Sequence, residues 1–312
     1  IDGHNDFPRF RSRFESTGVS FDFSADLSSL KNPPHTDIPR LLQGRVGAQF
    51  WSAYVPISEP GGAKGDTSRF LEQMDFIYEF VELNPEYLEM AFSSKDISRI
   101  SKSGRIASII GIEGGHAIED SLSTLRMLYR AGARYMTLTH SKGLSWIDSA
   151  QDSERVGGLT TFGSAAVKEM NRLGMLVDLS HVAVKSAHAV LDETNAPVIF
   201  SHSSINSVTK HERNVPDDLL RRLPSNGGIV MITFFPAHVS DEVRDYSEAL
   251  MAEVAELRRQ GKDDATLWKL VEDWIENNPT PRATVSQVAD HIDYVKSLIG
   301  VEYIGIGGDF DG

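Results

Sequence analysis

The chain reads as an α/β protein of the (β/α)8, TIM-barrel type, and three features of its sequence carry that reading. Short runs of Val, Ile and aromatic residues recur along all 312 residues. Stretches with helical spacing separate most of them. The runs are apolar nearly throughout rather than alternating, as parallel strands covered by helices must be. Eight such runs fit a barrel of ~250 residues with insertions. A doubly wound open sheet is the runner-up, but no Gly-rich dinucleotide turn follows the first strand.

In order, strands are predicted at 1–6, 46–55, 106–112, 133–139, 175–180, 198–202, 228–235 and 303–308. Helices are predicted at 67–82, 121–131, 160–173, 182–193, 215–223 and 284–299. Residues 7–45 form a long, irregular first connection, and 236–283 a charged helical insertion within a single domain, 1–312. The Leu, Val and Trp spacing of that insertion suits an amphipathic helix pair, packed on the barrel or serving as a lid. A last helix covering the eighth strand is absent from the sequence, which stops at "GGDFDG". The first residue is Ile1 rather than Met, which leaves room for a leader before it.

Composition narrows the function. There are 44 acidic residues against 31 basic ones, a net charge of −13, with no basic run. This argues against nucleic acid or an anionic membrane surface as partner. No apolar stretch approaches the ~20 residues of a membrane helix. Cysteine is absent, which excludes disulfides, a thiol nucleophile and a thiolate metal site. A reducing, cytoplasmic or otherwise soluble setting fits that absence.

The polar residues at strand ends carry the chemistry. In "IDGHNDF", His4 and Asp6 are two residues apart and share one face of the first strand. Glu113 ends the third strand, His140 the fourth, His202 the sixth and Asp309 the eighth, and His181 follows the fifth. Any one of these histidines alone would be read as a hydrogen-bonded structural residue. Together, four histidines and three carboxylates fall on the C-terminal rim, where barrels build active sites. Charges clustered there call for a cation to pair them. Imidazole with carboxylate, and no thiolate, suits Zn²⁺ and related first-row ions better than Ca²⁺ or Mg²⁺.

Seven motifs, "DGHNDF", "GIEGGHAI", "TLTHS", "DLSH", "SHSS", "RNVPDD" and "IGIGGDFDG", occur in that order over essentially the whole chain. In this the sequence resembles the membrane (renal) dipeptidase family, the M19 metallopeptidases of the amidohydrolase superfamily. The resemblance implies a binuclear zinc centre: His4 and Asp6 on one ion, His181 and His202 on the other, Glu113 bridging both. It implies that His140 contacts the substrate near the scissile carbonyl and that Arg213 holds the substrate's C-terminal carboxylate. Asp309 would be the acid/base. Without the resemblance, Arg213 would be read as a surface ion pair with Glu212 or Asp217. His35, His116, His188, His211, His238 and His291 match no ligand motif and are read as structural.

The expected reaction is hydrolysis of dipeptides with a free C-terminus by a metal-bridged hydroxide, since paired divalent ions lower the pKa of a shared water. Cys-Gly parts of glutathione conjugates are within the substrate range the family implies. Extracellular members use disulfides, and Lys142 and Gly143 follow "THS" where such members carry a cysteine. A membrane-anchored form is therefore not expected; a homodimer stays open. Two alternatives are another amidohydrolase reaction on the same site, and a non-catalytic relative that binds metal.

Overall fold

The computed structural model describes residues 1–9, 22, 24–30, 33–57 and 66–312. Part of the long first connection therefore lies outside the described residues. Among the described residues nine strands form: β1 Asp2–Asn5, β2 Ala48–Tyr54, β3 Leu88–Met90, β4 Ile106–Glu113, β5 Ala133–Thr137, β6 Leu176–Asp178, β7 Val198–Phe200, β8 Ile229–Ile232 and β9 Ile304–Ile306. They pair in parallel in the order β2-β1-β9-β8-β7-β6-β5-β4, and β4 pairs back onto β2. The closing ladder runs without a register shift from Ala48 opposite Ala107 to Tyr54 opposite Glu113. Eight strands thus close a TIM barrel with helices around it. β3 is a ninth, outer strand, laid along the first residues of β4 before β5 takes over that edge.

Burial explains the apolar runs. Every residue of β2 and of β4 is buried, so neither can alternate polar with apolar. Apart from β4, which runs one residue further to Glu113, the observed strands are shorter than predicted, because barrel pairing ends where each chain turns into the rim loops. The predicted helix 215–223 is instead two short turns, Asp217–Leu220 and Leu223–Asn226. Pro224 lies at the start of the second turn, and proline has no N–H to continue a preceding helix. A helix at Ser94–Lys102, with Ser93 as its N-cap, was not predicted.

Local signals set the other helix ends. Thr160 caps Thr161–Leu173, which stops at Gly174 in the left-handed conformation. Thr284 and Gln287 form a capping box at the start of Val285–Ile299. The insertion holds three helices, Pro236–Val239, Asp241–Arg259 and Asp264–Asn277. Its two longer helices pack through their own small core of Leu257, Leu267 and Val271. Among the described residues no helix is long and apolar enough to cross a membrane.

Candidate metal centre

The rim of the barrel gathers the predicted ligands around Glu113, the last residue of β4. Its two carboxylate oxygens face different groups. Oε2 lies 3.7 Å from Nε2 of His4 and accepts from the Ser52 hydroxyl at 3.2 Å. Oε1 lies 3.1 Å from Nε2 of His181, 3.5 Å from Nε2 of His202 and 3.7 Å from Nε2 of His140. On the first side, His4 Nε2 is also 3.1 Å from Asp6 Oδ2. On the second, the Nε2 atoms of His181 and His202 are 2.9 Å apart. His202 touches both sides, since its ring centroid is only 3.8 Å from that of His4.

Backbone geometry aims two of these groups. His181 (φ 68°) and Asp309 (φ 59°) both sit in the left-handed region that side chains rarely adopt. Asp309 is tied down from both sides: its N–H donates to the His4 carbonyl, and the Asp6 N–H donates to the Phe310 carbonyl. The loop after β9 is thereby sewn to the end of β1, and Asp309 comes within ligand distance of His4 and His202.

The electrostatics of the cluster call for a cation. Burial, aided by the Asp6 carboxylate, pushes Glu113 up to about 8 and Asp309 up to about 7. Burial alone would lower His4, yet Asp6 and Glu113 beside it raise it to about 10. Burial, with Arg213 nearby, takes His140 down to about 3. Two buried carboxylates, the half-buried Asp309 and several imidazoles thus compete for protons in one small space. Asp6 Oδ1 and His181 Nδ1 are buried without a hydrogen-bond partner. The donor set, carboxylate oxygen and imidazole nitrogen only, fits divalent first-row ions. Each of three groupings, His4/Asp6/Glu113, Glu113/His140/His181 and His4/His202/Asp309, has its ligand atoms within 4.8 Å of one another.

Above the cluster opens a cavity of about 550 Å³. Asp6, Glu113, His140, His181, His202 and Asp309 line its floor. Arg213 lies in its side wall, only 5% exposed, and its Nη1 has no partner. Arg213 forms no ion pair with Glu212 or Asp217 among the described residues, so the surface-pair alternative does not describe it. The helix Asp241–Arg259 adds Arg244, Ser247, Glu248, Leu250 and Met251 to the lining.

Two histidines read as structural, His211 and His238, line this cavity beside Arg213, with ring centroids 4.4 Å apart. They stand far apart in sequence and outside any ligand spacing, so only the fold brings them together. The other four behave as read: His116 bonds the Val55 carbonyl, His291 accepts from the Ile205 N–H, His188 meets Asp218, and His35 accepts from the Asp311 N–H. Sequence reading also passed over Tyr135 and Ser201, which contact the predicted ligands His4 and His202, and Asp178, which bonds Ser201. Their one signal was a polar residue inside an apolar strand run, which needs a buried partner.

A closed parallel barrel with a buried histidine–carboxylate cluster on its C-terminal rim defines a metal-dependent hydrolase. The chain belongs to the membrane dipeptidase family, peptidase family M19, whose sequence model matches residues 1–312. It is 41% identical over 322 residues to Dipeptidase verJ of Clonostachys rogersoniana, covering 100% of this chain and 72% of that protein. It is 39% identical over 318 residues to Dipeptidase aclJ of Aspergillus oryzae, covering 100% of this chain and 66% of that one. The crystal structure of a metallo peptidase from Rhodobacter sphaeroides, liganded with a phosphinate mimic of the dipeptide L-Ala-D-Ala, superposes with a TM-score of 0.79. That match covers 100% of this chain and 85% of the other at 20% identity, a likeness of fold.

Proposed function

We propose that the chain is a binuclear zinc dipeptidase that hydrolyses dipeptides bearing a free C-terminal carboxylate. The observation that carries this reading is Arg213, a buried guanidinium with an unpartnered nitrogen in the wall of the cavity whose floor is the ligand cluster. A planar, permanently charged fork suits a carboxylate, and a clamp in the same cavity as the cluster would favour very short substrates. His4 and Asp6 would hold one ion, His181 and His202 the other. Glu113, with one oxygen toward each group, would bridge them. Bound divalent ions supply Lewis acidity, polarising the scissile carbonyl and lowering the pKa of a nearby water.

The protein's own groups do the rest. Asp309, held near neutrality by burial, takes a proton from the attacking water as the C–O bond forms. It returns that proton to the amine as the C–N bond breaks. His140, kept neutral by burial and by Arg213, contacts the developing oxyanion. The cavity leaves room for a large side chain on the N-terminal residue, which supports Cys-Gly parts of glutathione conjugates as a substrate subset. Metal analysis of freshly purified, unchelated protein, with turnover of a dipeptide panel, tests the reading. About two zinc ions per chain and dipeptide cleavage are expected. At most one tightly bound ion, or no cleavage by fully loaded protein, would refute it.

A further inference from the structure

We propose that Asp178 is a positioning residue that, through Ser201, fixes which ring nitrogen of the ligand histidine His202 is free to face the centre. The inference rests on the binuclear reading above and adds what holds its ligands. It follows from counting donors.

Asp178 ends β6 and is fully buried. Its Oδ1 accepts the N–H groups of Ser180 (3.0 Å) and Ser201 (2.9 Å). Its Oδ2 accepts the hydroxyls of Thr137 (2.5 Å) and Ser201 (2.6 Å). Four donors fill the acceptor capacity of an ionised carboxylate, which itself has no proton to give. The single hydroxyl proton of Ser201 is therefore fixed on Asp178, and Ser201 Oγ can only accept from its other neighbours. One neighbour is His202 Nδ1, at 2.8 Å. That nitrogen must carry the proton, which leaves the lone pair on Nε2, facing Glu113 and His181.

His4 has a separate support on its own side of the centre, its Nδ1 lying 2.8 Å from the Tyr135 hydroxyl. Gly111 on β4 makes this reach possible: a Cβ there would stand 2.1 Å from the Tyr135 ring. His181 lies outside the network, since its Nδ1 has no partner. Donors that lock the distal nitrogen of a metal-binding histidine typically change metal affinity by 10–100-fold when lost.

The two contacts predict a contrast among three variants. Tyr135→Phe cuts off His4 alone, whereas Ser201→Ala and Asp178→Asn release His202. Zn²⁺ affinities would be measured by chelator competition on zinc-loaded wild type and variants, with ring ¹⁵N–¹H correlation spectra of the loaded proteins reporting which nitrogen of each histidine carries a proton. The expected result is a loss of about 10–100-fold at the His4 site for Tyr135→Phe and at the His202 site for the other two. A protonated Nδ1 signal should appear for His202 in the wild type and be lost or shifted in Ser201→Ala. If Ser201→Ala weakens both sites alike or neither, or if His202 carries its proton on Nε2, the proposal is overturned. Should Asp178→Asn not fold, the contrast between Tyr135→Phe and Ser201→Ala decides it. Wild type binding two ions without this pattern refutes the network alone; wild type binding only one refutes the binuclear reading itself.

Discussion

Replacing Arg213 with alanine separates a dipeptidase from other hydrolases built on the same rim. The guanidinium is 5% exposed, and no carboxylate of the protein neutralises it within ion-pair distance among the described residues. Burial accordingly depresses its pKa. A substrate carboxylate would supply the missing partner, and hydrogen bonds to charged groups contribute roughly 1.5–3 kcal/mol. At about 1.4 kcal/mol per tenfold, Arg213→Ala should lose about 10- to 150-fold in kcat/KM on a dipeptide with a free C-terminus. On the C-terminal amide of the same dipeptide, wild type should already be slow and the variant little slower. The assay is amine release from both substrates by both enzymes, four rates forming one cycle. Thermal stability should hold or rise in the variant, because an unpaired buried charge is removed. Equal cleavage of acid and amide by wild type would refute the reasoning, since no clamp on the carboxylate would then exist.

Glu113→Gln should lower metal content at both sites together, because each oxygen of Glu113 faces a different ligand group; elemental analysis of the purified variant checks this. Asp309→Asn should keep metal and fold yet lose about 10²–10⁴ in kcat, the usual cost of removing a positioned acid/base; steady-state kinetics beside metal analysis would expose an error. Gly111→Ala should destabilise the barrel by about 1–3 kcal/mol, the cost of overpacking, as its Cβ meets the Tyr135 ring, and a lowered denaturant midpoint would register it.

Most of the barrel was legible because most of its strands are buried on both faces and therefore read as unbroken apolar runs. β3 was not legible, since its three residues, Leu88–Met90, are too few to form a run and pair only with the foot of β4. The helix Ser94–Lys102 is nine residues long and mostly polar, with Ile100 alone buried, so it offers too little apolar content to stand out. The rim residues were visible because each ends a strand run, which fixes where it lands whatever the loops do. Asp178 was passed over for the opposite reason. It lies within a run and acts through Thr137 and Ser201, residues from neighbouring strands that only barrel closure brings to it. Arg213, His211 and His238 show the same limit: local sequence marks Arg213 but cannot tell that two imidazoles will stand beside it.

The left-handed backbone at His181 and Asp309 sets a conflict between durability and activity. Each non-glycine residue held there stores about 1–3 kcal/mol, which the surrounding structure must offset. Glycine at either position would relax that strain and remove the side chain on which the proposed chemistry depends. A selection for heat resistance alone would therefore enrich substitutions at these two positions, and its most robust survivors would be inert. Any programme to harden this protein should hold 181 and 309 constant and look for its gains in the insertion helix Asp264–Asn277, which adds no residue to the lining of the cavity.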